Sequence, residues 1–471
     1  APQALPPSRE VPAPAPTPAP PRELPAPPAP TPVPPKELPA PPAPTPAPPK
    51  ELPAPPAPTP VPPKELPAPP APTPAPPKEL PAPAPTPAPP KEVQDPEKQK
   101  EIATKRSETE LLDQEKAKLN HNLESLSSSD RERIKQNMTE FEERSKSEHL
   151  PQQEVRKTYE QVNRLYDSKE EYPVTQKDKQ VLADQILQHA ARSHNIDQGQ
   201  HSTCGVTALE STTFSTNPSG AAKLLVDVGT KGSYTTTDGT TVRLHPRDFD
   251  KDQESSTNPP KDGDRSYASK LFQETALNLH YQAQGKRYVE TPSTPGDRDS
   301  YGLPDKAEVV DASGKRETFK GITMAQLADV DAAINGKSDS SRFLVHYDAS
   351  PAEVGGKVQT FHTEDQFKSQ LEKLSQTHGF PVSVFVDSTK PPFNMGTAEG
   401  AGGSGSGHAV TITGYNSTTG RVEVANQWGS KHNHTGADAI RAHELYEATL
   451  IKRDNNLAYR FRSWVWEELG A

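Results

Sequence analysis

Cysteine is almost missing from this chain: Cys204 is the only one in 471 residues. No intrachain disulfide can form. That suits a cytosolic protein and equally an exported one that does without disulfides, so the redox compartment stays open. Cations are in the minority, 53 Lys and Arg against 63 Asp and Glu, for a net charge of −10. No basic patch offers itself to nucleic acid. Long apolar runs are absent too; none approaches the ~20 residues that a membrane helix needs. At Ala1 there is neither a Met nor the n-region and h-region of a signal peptide, so the expectation is a leader already removed or a trimmed chain. Apolar residues make up 31%, against roughly 45–50% in a typical globular domain. Proline explains where the deficit lies: 43 of the 57 prolines fall before residue 94.

What is present in residues 1–93 is a repeat. The unit 36–49 recurs from Arg22, Lys50 and Lys64, with versions one residue shorter from Arg9 and Lys78 and an unfinished start at Lys91-Glu92-Val93. Proline at nearly every second position removes backbone donors and forbids helix or central strand. The expectation is a disordered arm of polyproline II without a core. Seven cations balance seven glutamates over 1–93, so bulk charge gives the arm no affinity for membranes or nucleic acid. Its evenness suits a spacer or wall-crossing stalk with a cell-envelope partner. The other reading is a docking ligand for a proline-recognising domain.

Helix formers take over in 94–170, a charged helical neck. Leu112, Leu119 and Leu126 are spaced by seven, but Lys116 interrupts the row that would include Leu123, and two heptads do not make a coiled coil. Ser129 to Glu132 reads as a capping box ahead of the stripe Ile134, Met138 and Phe141. Pro151 suits a helix first turn, followed by Val155, Tyr159, Val162 and Tyr166. A further helix, about 176–194, carries Leu182, Ile186 and Ala190. These stripes fit a small bundle packed on the next domain, an inhibitory pro-segment, or a dimerising neck.

Residues 171–471 carry the chemistry. Cys204 follows the polar turn Gln198-Gly199-Gln200-His201-Ser202-Thr203 and precedes Val206, Ala208, Leu209 and Phe214, so a helix starts at or near it. Its N-terminal dipole is expected to favour the thiolate and lower the thiol pKa. Gly205 is expected to leave room for a substrate. Asn217 and Pro218 cap a second helix with Gly229 at its exit, and a third covers about 264–282. Short β-branched runs follow at 343–347, 381–386, 408–413 and 421–425, with helices at about 324–335 and 364–376. Helices first and sheet later is an α+β arrangement. Val410, Ile412 and His408 share one side of their strand. Cys204, His408 and Asn426, in that order, are the parts of a thiol nucleophile, its base and the group that orients the base.

The motifs together resemble the papain-like cysteine peptidases. That family has a glutamine six residues before its cysteine, as Gln198-Gly199 stands before Cys204. Its histidine opens a strand of the type His408-Ala409-Val410 with Gly414-Tyr415 beyond, and its asparagine stands in the context Asn426-Gln427-Trp428-Gly429. The resemblance implies a two-lobed fold, a helical lobe bearing the cysteine and an antiparallel β lobe bearing His408 and Asn426. It implies Cys204 as nucleophile, His408 as base and then acid through a thiolate–imidazolium pair, and Asn426 orienting His408 under the shield of Trp428. Gln198, with the Cys204 N–H, would form the oxyanion hole. The implied reaction is hydrolysis of a protein or peptide substrate, with no cofactor and no metal. The chain departs from the family in lacking an aromatic after the cysteine and in a Cys-to-His gap of 204 residues, against roughly 130–150. Insertions are therefore expected at about 230–320.

Each residue also has a plain reading. A lone cysteine is often a buried structural thiol, and Trp428 alone is most simply core. His201 reads as an exposed turn residue. The glycine-rich stretch 402–407 is a flexible approach to His408. His432 with His434 lacks a third metal ligand. Asp248, Asp250 and Asp252 open like a calcium loop without its glycine and final glutamate. The competing functions are a cell-wall (peptidoglycan) amidase or endopeptidase, disfavoured by the long gap, and a catalytically silent papain-like surface binding protein. A bacteriocin-processing peptidase is disfavoured because it pairs histidine with aspartate. Export or display at the cell surface is the expected localisation, with a cytoplasmic site left open.

Overall fold

The computed structural model describes residues 96–292, 305–347, 356–394 and 407–452. The proline repeats and residues 402–406 of the glycine-rich stretch lie outside the described residues. The architecture is α+β, with helices leading and sheets following. Four helices come first: α1 (Pro96–Asn122), α2 (Ser128–Ser147), α3 (Gln152–Asp167) and α4 (Gln176–Ala191). The cap of α2 is Ser127, whose hydroxyl accepts the Asp130 N–H at 3.2 Å, two residues before the expected box. The expected stripes are inside: Ile134, Met138 and Phe141 on α2, Val155, Tyr159 and Val162 on α3, and Leu182, Ile186 and Ala190 on α4 are all buried.

The next elements are α5 (Cys204–Thr216), α6 (Pro218–Lys231), the hairpin β1 (Ser233–Thr235) with β2 (Thr241–Arg243), and α7 (Tyr267–Gln282). Asn217 caps α6 by accepting the Gly220 N–H, and Pro218 supplies the preset first turn. The helix leaves through Gly232 (φ 68°), not Gly229, which stays inside α6 against Leu182. Then come the three-stranded antiparallel sheet β3 (Arg287–Pro292), β4 (Asp305–Val310) and β5 (Arg316–Thr318), and α8 (Met324–Asn335). The apolar core continues from the first four helices into α5, α6, α7 and α8 without a break at residue 170. Arg144, itself buried, ties the two stretches: it donates to the Ala190 carbonyl at the end of α4 and to the Phe214 and Ser215 carbonyls at the end of α5. These carbonyls have no partner within their own helices, so a cation there satisfies bonds and the dipole together.

The last part is a seven-stranded sheet with β6 (Phe343–Tyr347), β7 (Gln359–Phe361), β8 (Val382–Asp387), β9 (Gly407–Asn416), β10 (Arg421–Asn426), β11 (Ile440–Arg441) and β12 (Ile451–Lys452), plus α9 (Glu364–Gln376) and α10 (Ala442–Ala448). Only β8 to β11 form the expected antiparallel ladder; β6 runs parallel to β7, β8 and β12, so the sheet is mixed. One face, with Phe343, Phe385 and Ala409, joins the helical core. The other, with Val382, Val384, Val410 and Ile412, packs beneath α9 and α10 with Phe367 and Leu445. Burial on both faces explains why β8 reads as a continuous rather than alternating apolar run.

Candidate active site

Two elements meet at the site: the start of α5 and the start of β9. Cys204 is the first residue of α5, and its sulfur receives the backbone N–H of Ala409, the residue after His408. The N–H groups of Cys204 and Gly205 lie near enough to favour the thiolate as well. They are free to do so because the first turn of a helix has no intrahelical acceptors. The sulfur makes no hydrogen bond to His408 among the described residues. Cys204 is 8% exposed and His408 3%.

His408 is held on two sides. Its Nε2 lies 2.9 Å from Asn426 Oδ1. The asparagine oxygen can only accept, so Nε2 carries the proton and Nδ1 is left as the basic nitrogen. Trp428 stacks on the ring, centroids 4.0 Å apart and planes at 22°. Asn426 is fixed in turn: its N–H donates to Asn433 Oδ1 (2.7 Å), and its Oδ1 also accepts the Trp428 N–H (3.3 Å). The sheet decides which way Asn426 faces. It pairs with Val410, and Val410 shares a strand face with His408 two residues away.

Gln198 arrives from the loop before α5. Its backbone N–H donates to the Gln427 carbonyl at 2.9 Å, joining the loop to the end of β10. Its Nε2 donates to the His201 carbonyl at 2.6 Å, which uses one of the two amide hydrogens, and its Oε1 is buried without a partner among the described residues. The sequence-derived residues thus converge in part: His408, Asn426 and Trp428 are in mutual contact, while Cys204 and Gln198 are tied to the residues next to them.

Three expectations change. Burial pushes the Cys204 thiol up, and this outweighs the N–H groups that favour the thiolate. Burial also pushes His408 down to about 4 against the Asn426 bond that raises it. Both shifts favour a neutral thiol beside a neutral imidazole over the expected ion pair. Gly205 does not open space for a substrate: a Cβ there would meet Ile322 at 3.1 Å and Leu327 at 3.2 Å, so its small size lets α8 close on α5. His201 is buried, not an exposed turn residue. Its ring lies 3.7 Å from carboxylates of Asp252, Glu254 and Glu290, and burial with the nearby Arg265 cation pushes it down to about 3.

Sequence reasoning missed the groups that support the loop. Arg265, fully buried, grips Glu290 with two bonds (2.9 and 2.6 Å) and Asp252 with one (3.0 Å). Thr203, just before the thiol, donates to Gln273, which donates to the buried Glu210. Asp197, beside Gln198, accepts the Gly263 N–H at 2.9 Å, and its Oδ1 is buried without a partner among the described residues. None stands in a local pattern; the signal lies in contacts made far along the chain. No group of three or more metal-ligating side chains comes together among the described residues. Asp248 caps a short turn at His245 and Asp252 holds Arg265 and Ser255, so the aspartate run is used structurally. No family model, no curated protein and no solved structure matches this chain.

Proposed function

We propose that the chain is a papain-like thiol peptidase that cleaves peptide bonds through an acyl-enzyme on Cys204. The observation that carries this reading is the clamp on His408: Nε2 to Asn426 at 2.9 Å, Trp428 stacked over the ring, and the next residue's N–H on the Cys204 sulfur. A structural thiol needs none of these, and a histidine held by one nitrogen keeps the other for proton transfer.

In this mechanism Nδ1 of His408 takes the thiol proton as the sulfur attacks the carbonyl carbon of the substrate. The carbonyl oxygen becomes an oxyanion, stabilised by the Cys204 N–H and the remaining Nε2 hydrogen of Gln198. The C–N bond then breaks, and the imidazolium gives its proton to the departing amine. Water, deprotonated by His408, attacks the thioester, and Cys204 leaves as the thiol. Asn426 keeps the imidazolium in plane through the cycle. Trp428 excludes water from the His408–Asn426 bond.

The second reading, a catalytically silent fold, draws on the burial of both partners and the neutral resting pair. Turnover separates the two. The full chain is incubated with casein and, in parallel, with peptidoglycan. Casein cleavage that is lost in Cys204→Ser and in His408→Ala supports the peptidase. Release of peptides from peptidoglycan alone would instead favour a wall hydrolase, and no turnover of either would favour the silent fold.

A further inference from the structure

The loop from Gln198 to Cys204 is pinned in its middle by a residue from elsewhere. Glu254 accepts the Gln200 N–H through both carboxylate oxygens, at 3.1 and 3.3 Å, and accepts the Arg265 N–H at 3.1 Å. The neighbouring Gly199 has φ 64°, and a Cβ on it would lie 1.8 Å from Glu254 Oε2 and 2.8 Å from Arg265 Cβ. Only glycine lets the loop come this close to the carboxylate. Glu254 is in turn braced. The buried Arg265, fixed by Glu290 and Asp252, lies behind it, and the His201 ring lies 3.7 Å from its Oε2. The turn it grips is closed by the Gln198 side chain on the His201 carbonyl.

Resting on the peptidase reading, we infer that Glu254 is a positioning residue for acyl transfer: by holding the Gln200 N–H it sets where the Gln198 amide stands relative to the Cys204 sulfur. It touches neither the substrate nor the sulfur and acts through the loop. Loss of the grip therefore weakens oxyanion stabilisation while leaving the nucleophile and its base in place. Removing an oxyanion donor outright costs roughly 10²–10³ in kcat, and a displaced donor costs part of that.

The test uses the full chain and one fluorogenic peptide that the wild type turns over, with Glu254→Ala and Glu254→Gln. Alkylation of Cys204 by iodoacetamide is measured alongside, because displacement at its methylene carbon develops no oxyanion. In Glu254→Ala the expected kcat falls about 30-fold with KM within about threefold. Alkylation stays within about threefold, and Gln200 amide exchange quickens at least about tenfold. Glu254→Gln, which keeps one accepting oxygen, recovers kcat to within about fivefold of wild type. Unchanged kcat, unchanged Gln200 exchange, or an equal fall in kcat and alkylation overturns the positioning role. If the wild type hydrolyses no peptide, the peptidase reading itself has failed and the inference falls with it. An active wild type with an equally active Glu254→Ala sinks the inference alone.

Discussion

Asn426 stands opposite Val410, not opposite Thr411, because β9 carries one more residue than β10 at Thr413. The register shifts between Glu423 and Val424. Without that bulge Asn426 would pair with Thr411 and face the other side of the sheet, away from His408. Asn426→Ala removes the bond to Nε2 and is expected to lower kcat/KM by about 1–3 kcal/mol, roughly 5–150-fold. Steady-state kinetics measures the fall, and circular dichroism checks that the fold is kept.

The resting charge state predicts the pH profile. His408 is depressed to about 4, first by burial and further by the His432 charge, and Cys204 is raised. The acid limb of kcat/KM should therefore lie near pH 4 and not near the usual histidine value of about 6.5. Trp428→Ala admits water to the ring and should move that limb up toward 6.5. The same shift bears on stability. A histidine whose folded pKa is depressed stabilises the fold above its unfolded pKa, and that contribution is lost as pH falls from about 6.5 toward 4. Trp428→Ala should flatten this part of the stability curve.

Some of this was legible in the sequence. The start of α5 at Cys204, the Asn217 and Pro218 start of α6, and both ends of α8 and α9 follow from local signals, because caps and helix periodicity act within a few residues. The mixed sheet was not, since the parallel partners of β6 are β7, β8 and β12, and β12 comes last in the sequence, beyond all the other strands. The burial of His201 depends on Asp252, Glu254 and Glu290, at least 51 residues away. The raised thiol reflects how closely α8 and β9 cover α5, which no motif records.

The neck is fastened to the site-bearing helices, so removing residues 1–170 should abolish cooperative unfolding rather than raise activity. Arg144→Met isolates one tie. It strands the Ala190, Phe214 and Ser215 carbonyls and should cost about 2–4 kcal/mol in a denaturant titration. A trimmed chain that folds and hydrolyses peptides faster would instead identify a pro-segment.

Asp197 gives a second stability test, with the opposite sign to His408. Burial first, with Asp262 and Asp264 adding, pushes it up to about 8 against the Gly263 and Gly429 N–H groups that lower it. Between its unfolded value and about 8, the folded state holds a proton that the unfolded state has lost. Stability from this residue therefore falls as pH rises, by at most about 1.4 kcal/mol per pH unit. Asp197→Asn, which still accepts the Gly263 N–H, should match the wild-type melting temperature near pH 3, below the unfolded value, and exceed it increasingly up to about pH 8.

The central claim is that Cys204 and His408 act as one catalytic pair. The most direct measurement is the rate at which a peptidyl epoxide modifies the full chain, with the adduct located by mass spectrometry. Ring opening by sulfur needs a proton on the epoxide oxygen, which His408 can supply. The expected result is a single adduct on Cys204, formed at least about 100-fold faster than on a free thiol, with the gain lost in His408→Ala. An adduct formed at the free-thiol rate, or equally fast in His408→Ala, would contradict it.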